Sequence, residues 1–178
     1  SLCAANAQYC VPTYTNLCSS GDYIDGVDFR GIQNSATGCN GNVDNYVYYS
    51  NDTAQVNRNG VHTITLTPAT AYAQGFGVWI DFNGDGDFAD MGEFVLAVGA
   101  GTIPVTDNIS VPLTAVLGTT RMRVRCAYNV APAAGDSCSN KDYGETEDYP
   151  VTISPPLTND VGILSLIFKM IIWGLFSR

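Results

Sequence analysis

Positive charge is scarce in this chain. Eight Lys and Arg stand against 17 Asp and Glu, and the formal net charge is −9. Phosphate recognition wants a basic face, so nucleic acid is not an expected partner. Histidine is nearly absent as well. His62 is the single one, inside the alternating run Gly60-Val61-His62-Thr63-Ile64-Thr65-Leu66. On such a run it reads as a half-buried strand residue, and no Ser-His-Asp or Cys-His arrangement can be assembled around it. There is no C-x-x-C pair, unlike cytosolic zinc ribbons. The Gly99-Ala100-Gly101 turn is followed by no Lys and no helical pattern, so it is not a phosphate cradle. The longest apolar stretch, Ile163 to Phe176, is 14 residues and contains Lys169, where a membrane span needs about 20. These absences point to a non-enzyme without a membrane span.

What is abundant favours strands. The chain has 18 Gly and 10 Tyr with many Thr and Val, in short apolar runs broken by Gly, Asn, Asp and Pro. The expected fold is all-β, an antiparallel β-sandwich of the jelly-roll or immunoglobulin-like kind. Strands are expected at 22–33, 45–50, 61–67, 75–81, 93–98, 107–111, 120–128 and 147–154. The expected organisation is a Cys-rich segment at 1–20, the sandwich at 21–154, a linker at 155–160 after Pro155-Pro156, and an apolar tail at 161–178.

The densest chemical signal is Asp81-Phe82-Asn83-Gly84-Asp85-Gly86-Asp87-Phe88-Ala89-Asp90-Met91-Gly92-Glu93. Five carboxylates and an Asn fall within thirteen residues. They repel one another unless a cation gathers them, and Ca²⁺ takes about six to eight oxygen ligands. Asp81, Asn83 and Asp85 at alternate positions, followed by Gly86, match the opening of an EF-hand loop. The match then departs, because Gly92 stands where the closing Glu would be and Glu93 follows one residue later. The flanks, Val78-Trp79-Ile80 and Phe94-Val95-Leu96-Ala97-Val98, read as strands rather than helices. Expected ligands are Asp81, Asn83, Asp85, Asp87 and Glu93, with Asp90 a ligand or a supporting neighbour. Asp87 could serve through its carbonyl. Without His or Cys the loop does not suit Zn²⁺. A plain acidic turn would need about two to five residues.

Six cysteines without a zinc pattern read as three disulfides in an oxidising, extracellular compartment, where calcium is also plentiful. Six cysteines allow fifteen pairings. The expected set is Cys3–Cys10, Cys18–Cys39 and Cys126–Cys138. Ser1 reads as a mature end left by processing.

In Arg121-Met122-Arg123-Val124-Arg125-Cys126 three Arg face one way and Met122, Val124 and Cys126 the other. The Arg face is expected to be solvated. The sharper alternative pairs it with the acidic segment 145–148. Glu145 and Glu147 share one face of an extended segment, which favours a structural role. Tyr46, Tyr48 and Tyr49 are candidates to stack on sugars, although such a stripe more often packs across strands. Asn51 and Asn108 head N-glycosylation sequons, and Thr53 lies in a short O-glycosylation-like triplet. In the tail, Leu164, Leu166, Phe168, Met170 and Ile172 alternate along one face. This pattern is expected to make a strand that pairs with its own domain or with a neighbouring subunit, giving a homo-oligomer or filament.

Three segments together resemble the GEVED domain, a family of secreted and cell-surface proteins of bacteria, particularly Bacteroidota. They are Val78–Phe88 through Gly92-Glu93, Val111-Pro112 through Thr120–Val124, and Tyr143-Gly144-Glu145-Thr146-Glu147-Asp148-Tyr149, with Thr146 where Val is usual. Asp22-Tyr23-Ile24 and Ile32-Gln33-Asn34-Ser35 fit the family's start. The likeness covers about residues 9–154. It implies a non-catalytic β-sandwich module, adhesive or structural, with a glycan-binding accessory role in a larger secreted protein as the alternative.

Overall fold

The computed structural model describes residues 9–39 and 45–157. Ten strands form within them: β1 (Ile24–Phe29), β2 (Ile32–Ser35), β3 (Tyr46–Tyr48), β4 (Ala54–Asn57), β5 (Val61–Pro68), β6 (Gln74–Ile80), β7 (Phe94–Gly101), β8 (Val105–Ser110), β9 (Gly118–Tyr128) and β10 (Gly144–Ser154). Two 3-10 turns, Cys18–Ser20 and Ala134–Asp136, complete the regular structure. No α-helix occurs among the described residues, and none there is long and apolar enough to cross a membrane.

Two sheets pack face to face. One has the order β2-β1-β5-β8. The other runs β3-β10-β9-β6-β7, with β4 also on β10. The first is antiparallel throughout. The second is mixed, because β3 and β4 pair in parallel, one after the other, along the outer edge of β10. The expectation of a β-sandwich therefore stands, while a purely antiparallel one does not. The run read as one strand over 22–33 is a hairpin. Arg30 and Gly31 both have positive φ, the conformation a two-residue primed turn requires. Strand β4 had no expected counterpart. Its four residues are too few to show a period.

Alternation places the core. Val27 and Phe29 of β1, Ile64 and Leu66 of β5, Phe76, Val78 and Ile80 of β6, Met122, Val124 and Cys126 of β9, and Tyr149, Val151 and Ile153 of β10 form one buried cluster between the sheets. His62 is buried on β5, and its Nε2 accepts from the Asn57 N–H at 3.3 Å. Burial lowers the imidazole pKa, which keeps the ring neutral.

The opposite face of β9 and β10 is covered rather than solvated. Residues 13–16 run beside 141–142, with the Thr15 N–H on the Lys141 carbonyl and the Asn16 N–H on the Asp142 carbonyl, both at 2.9 Å. Arg123 and Arg125 are fully buried beneath this segment, while Arg121 keeps partial exposure. Arg123 lies opposite Asp148 in the register and binds it through two parallel bonds of 2.8 Å. Its remaining N–H groups reach the Ser137 carbonyl (2.8 Å) and the Cys10 carbonyl (2.7 Å). Arg125 donates to the Tyr14 hydroxyl and the Asp136 carbonyl. The solvated Arg face is thus corrected to a buried, matched one.

The same covering segment settles the cysteines. Cys10–Cys138 and Cys18–Cys39 are bonded, and Cys126 is a buried free thiol. The expected Cys18–Cys39 pair is present. The expected Cys126–Cys138 pair is wrong, because Cys126 points into the core with Met122 and Val124 while Cys138 lies on the outer face. Cys138 meets Cys10 there instead, which also removes Cys10 from the expected Cys3–Cys10 pair.

Candidate metal centre

The acidic loop leaves β6 at Asp81 and returns at Glu93, just before β7. The Ile80 N–H on the Glu93 carbonyl (2.9 Å) closes its neck, and the Asp81 N–H on the Arg121 carbonyl (3.0 Å) fixes it to β9. Two aromatic residues pin its flanks. Phe82 joins the core, and Phe88 is buried 5.1 Å from the Tyr9 ring with the Arg123 guanidinium 4.9 Å over its face.

The carboxylates divide into two sets. Asp81 is fully buried and organises the chain. Its Oδ1 accepts from the Gly84 N–H (2.6 Å), and its Oδ2 from the Gly86 N–H (3.1 Å) and the Tyr9 hydroxyl (2.6 Å). Glu93 is also buried. Its Oε1 accepts from the Phe82 N–H (2.9 Å) and the Asn83 N–H (3.4 Å), while its Oε2 is buried without a hydrogen-bond partner among the described residues. Desolvation raises the Glu93 pKa to about 7, aided by the nearby Asp81 charge and opposed by those backbone donors. Asp85, Asp87 and Asp90 form the second set. They converge at the surface with oxygens within 4.8 Å of one another.

Asn83 bridges the second set. Its Nδ2 donates to Asp85 (3.0 Å) and Asp90 (2.7 Å), and its Oδ1 accepts from the Asp85 N–H (3.0 Å). The Asp85 and Asp87 side chains cap the N–H groups of Asp87 (3.2 Å) and Ala89 (2.8 Å). The six residues singled out in the sequence therefore occupy one loop. Asp90 is a full member of the converging group, while Asp81 and Glu93 are buried and lie outside it. Tyr9, which closes the loop from the N-terminal segment, had no sequence signal, since it lies 72 residues from the Asp81 it binds.

The second acidic segment does other work. Glu145 Oε2 accepts from the Ile24 N–H at 2.9 Å on the core face. Glu147, on the same face, takes the Tyr149 hydroxyl at 2.7 Å. Thr146 bonds Tyr14 at 2.7 Å, and Asp148 holds Arg123 and the Tyr46 hydroxyl (2.9 Å). Gly144 has φ +138°, and a Cβ there would come within 2.2 Å of the Cys126 carbonyl, so only glycine admits β9 this closely. Tyr48 lies under the Arg121 guanidinium at 4.1 Å, and Tyr49 stacks on Tyr149 at 5.3 Å. With Tyr46 on Asp148, the three rings considered for sugars are engaged within the fold. Asn51 and Asn108 are exposed and Thr53 is half-buried. Leu164, Leu166, Phe168, Met170 and Ile172 lie outside the described residues.

The family model of the GEVED domain matches residues 75–152, the span from β6 through β10 that carries both acidic segments. No curated protein matches the chain.

Proposed function

We propose that this is a non-catalytic module of an extracellular setting whose β6–β7 loop is completed by Ca²⁺. The observation that carries the reading is Glu93. Its buried Oε2 has no hydrogen-bond partner among the described residues, in the same loop as three converging aspartates, and a carboxylate oxygen removed from water without a partner is costly. A hard cation supplies that partner. Asp85, Asp87 and Asp90 would hold it from the surface side. Turning over the Asn83 amide would replace two donors by an oxygen. All available ligands are oxygens, which suits Ca²⁺. The ion supplies positive charge to a loop that otherwise repels itself, and so fixes the exit of β6 against the entry of β7.

The two disulfides belong to an oxidising environment, and that supports the extracellular part of the reading. The non-catalytic part rests on the buried, neutral His62 and on carboxylates that share one loop rather than flanking a cleft. The test is calorimetric titration of the chelator-stripped chain with Ca²⁺. Saturable uptake in the intact chain, lost when Asp85 and Asp87 are both changed to Asn, is the expected result. No uptake, together with a melting curve indifferent to EGTA, overturns the reading.

A further inference from the structure

Tyr72, Tyr128 and Tyr143 come from three separate segments and line one cavity of about 350 Å³ with Asn16, Ser20 and Asp22. That volume lies at the lower end of small-molecule sites. Tyr72 meets Tyr128 edge to face at 5.7 Å and 89°, and Tyr128 meets Tyr143 at 5.9 Å and 61°. The rings therefore stand as walls at steep angles rather than as a stack. They are 47 %, 48 % and 39 % exposed respectively, large values for aromatic side chains. Their surroundings are fixed. Gly21 has φ +108°, and a Cβ there would lie 3.2 Å from the Tyr72 ring. The Cys18–Cys39 disulfide ties the adjoining turn, and the Asn45 side chain bonds the Cys18 N–H and the Asn16 and Gly144 carbonyls.

Asp22 also lines this cavity, yet it is only 3 % exposed. Its Oδ1 accepts from Gln74 Nε2 at 2.6 Å. Among the described residues no ion pair holds it, and neither Lys nor Arg lines the cavity. A buried carboxylate without a counter-charge is unfavourable, and aromatic faces attract cations. Ca²⁺ would find one carboxylate where it wants about six to eight oxygens. A neutral sugar would use the rings and leave the charge uncompensated.

We infer that this cavity binds the alkylammonium group of a compact organic cation, its methyl groups against the three tyrosines and its charge against Asp22. The inference does not depend on the calcium reading. Its test uses the full chain in saturating calcium, titrated with choline and with the neutral isostere 3,3-dimethylbutan-1-ol, and followed by tyrosine ring shifts in NMR. Choline is expected to saturate the site and the isostere to bind about tenfold more weakly or less. Tyr128→Phe should keep the affinity, because the ring face remains, while Tyr128→Ala should lose about tenfold. Both changes sit on an exposed ring, so folding is not at stake. Co-sedimentation with phosphatidylcholine vesicles assigns a lipid headgroup as a source of the cation, and choline binding without it assigns a free molecule. Three results overturn the inference: no saturable choline binding, equal affinity for the isostere, or affinity unchanged in Tyr128→Ala.

Discussion

In the strand segment Glu145–Asp148 every carboxylate is buried, whereas in the loop Asp85 and Asp90 lie in solvent and Asp87 is half-buried. The strand segment carries its own partners: Arg123 for Asp148, the Ile24 N–H for Glu145, the Tyr149 hydroxyl for Glu147. The loop has backbone donors, the Tyr9 hydroxyl and one amide, but no cationic side chain in bonding contact with its aspartates among the described residues. Equal acidity in the sequence thus covers two electrostatic situations. One has an Arg set opposite it in the register, and the other has no cationic side chain in contact with it among the described residues. The difference follows from strand register, which sets Asp148 opposite Arg123 and gives a hairpin loop no facing strand at all.

The sharpest break of this comparison is Asp148→Ala. It strands a fully buried Arg123, and breaking a buried pair costs about 3–5 kcal/mol. Urea denaturation should show that loss with and without calcium. Replacing Arg123 and Asp148 together by apolar residues should cost less than the single change. A single change that leaves the midpoint within error would dissolve the distinction between the two acidic regions.

On the loop side, free Ca²⁺ at a hundredfold excess over its dissociation constant should add about 2.7 kcal/mol, by mass action on the native state alone. The gain should vanish when Asp85, Asp87 and Asp90 are all changed to Asn, and should survive the paired Arg123 and Asp148 replacement. Thermal melts in calcium and in EGTA decide both points. A calcium gain that persists in the triple variant would place the ion elsewhere.

How much of this was visible in the sequence differs between the two regions. The loop is local: its carboxylates, its glycines and its strand flanks are contiguous, so the acidic cluster and the connection between strands were legible. The covering of the Arg face was not. Residues 9–16 have no period, and Tyr9, Cys10 and Tyr14 reach Asp81, Cys138 and Thr146 across more than 70 residues. The Cys126 error was avoidable. Its alternation with Met122 and Val124 already sent it to the core, which is incompatible with a bond to a loop on the other face. The parallel pairing of β3 and β4 left no signal, being set by tertiary contact with β10. Tyr72, Tyr128 and Tyr143 are isolated in sequence, and only the fold gathers them.

Protonation offers a third contrast. Burial raises the Glu147 pKa to about 7, even though hydrogen bonds from Tyr149 and neighbours lower it. The folded chain then holds a proton that the unfolded chain releases near its ordinary value. Stability from this group is complete below that ordinary value and is lost as pH rises through about 7. Glu147→Gln should flatten the pH dependence between 5 and 8 and gain roughly 1–3 kcal/mol at the alkaline end. Glu93, likewise raised to about 7, should behave alike without an ion, and a bound calcium ion would hold it ionised. Added calcium should therefore remove the Glu93 share of the slope and leave the Glu147 share, as melts across pH of the parent chain and of Glu147→Gln, with and without calcium, can show.

The smallest effect has the most diagnostic sign. In EGTA, Asp85→Asn should stabilise the protein slightly, by about 0.5 kcal/mol or less, since it relieves repulsion among exposed like charges. The gain should shrink in high salt, which screens the same repulsion. In calcium the same substitution should destabilise, because it removes a ligand charge. No such reversal is expected on the strand, where Asp148→Asn weakens the Arg123 pair whatever the solution contains. Denaturant midpoints for Asp85→Asn in EGTA and in calcium supply the measurement. If the substitution destabilises in both, the loop aspartates are partners of the fold itself, as Asp148 is, and the loop does not await an ion.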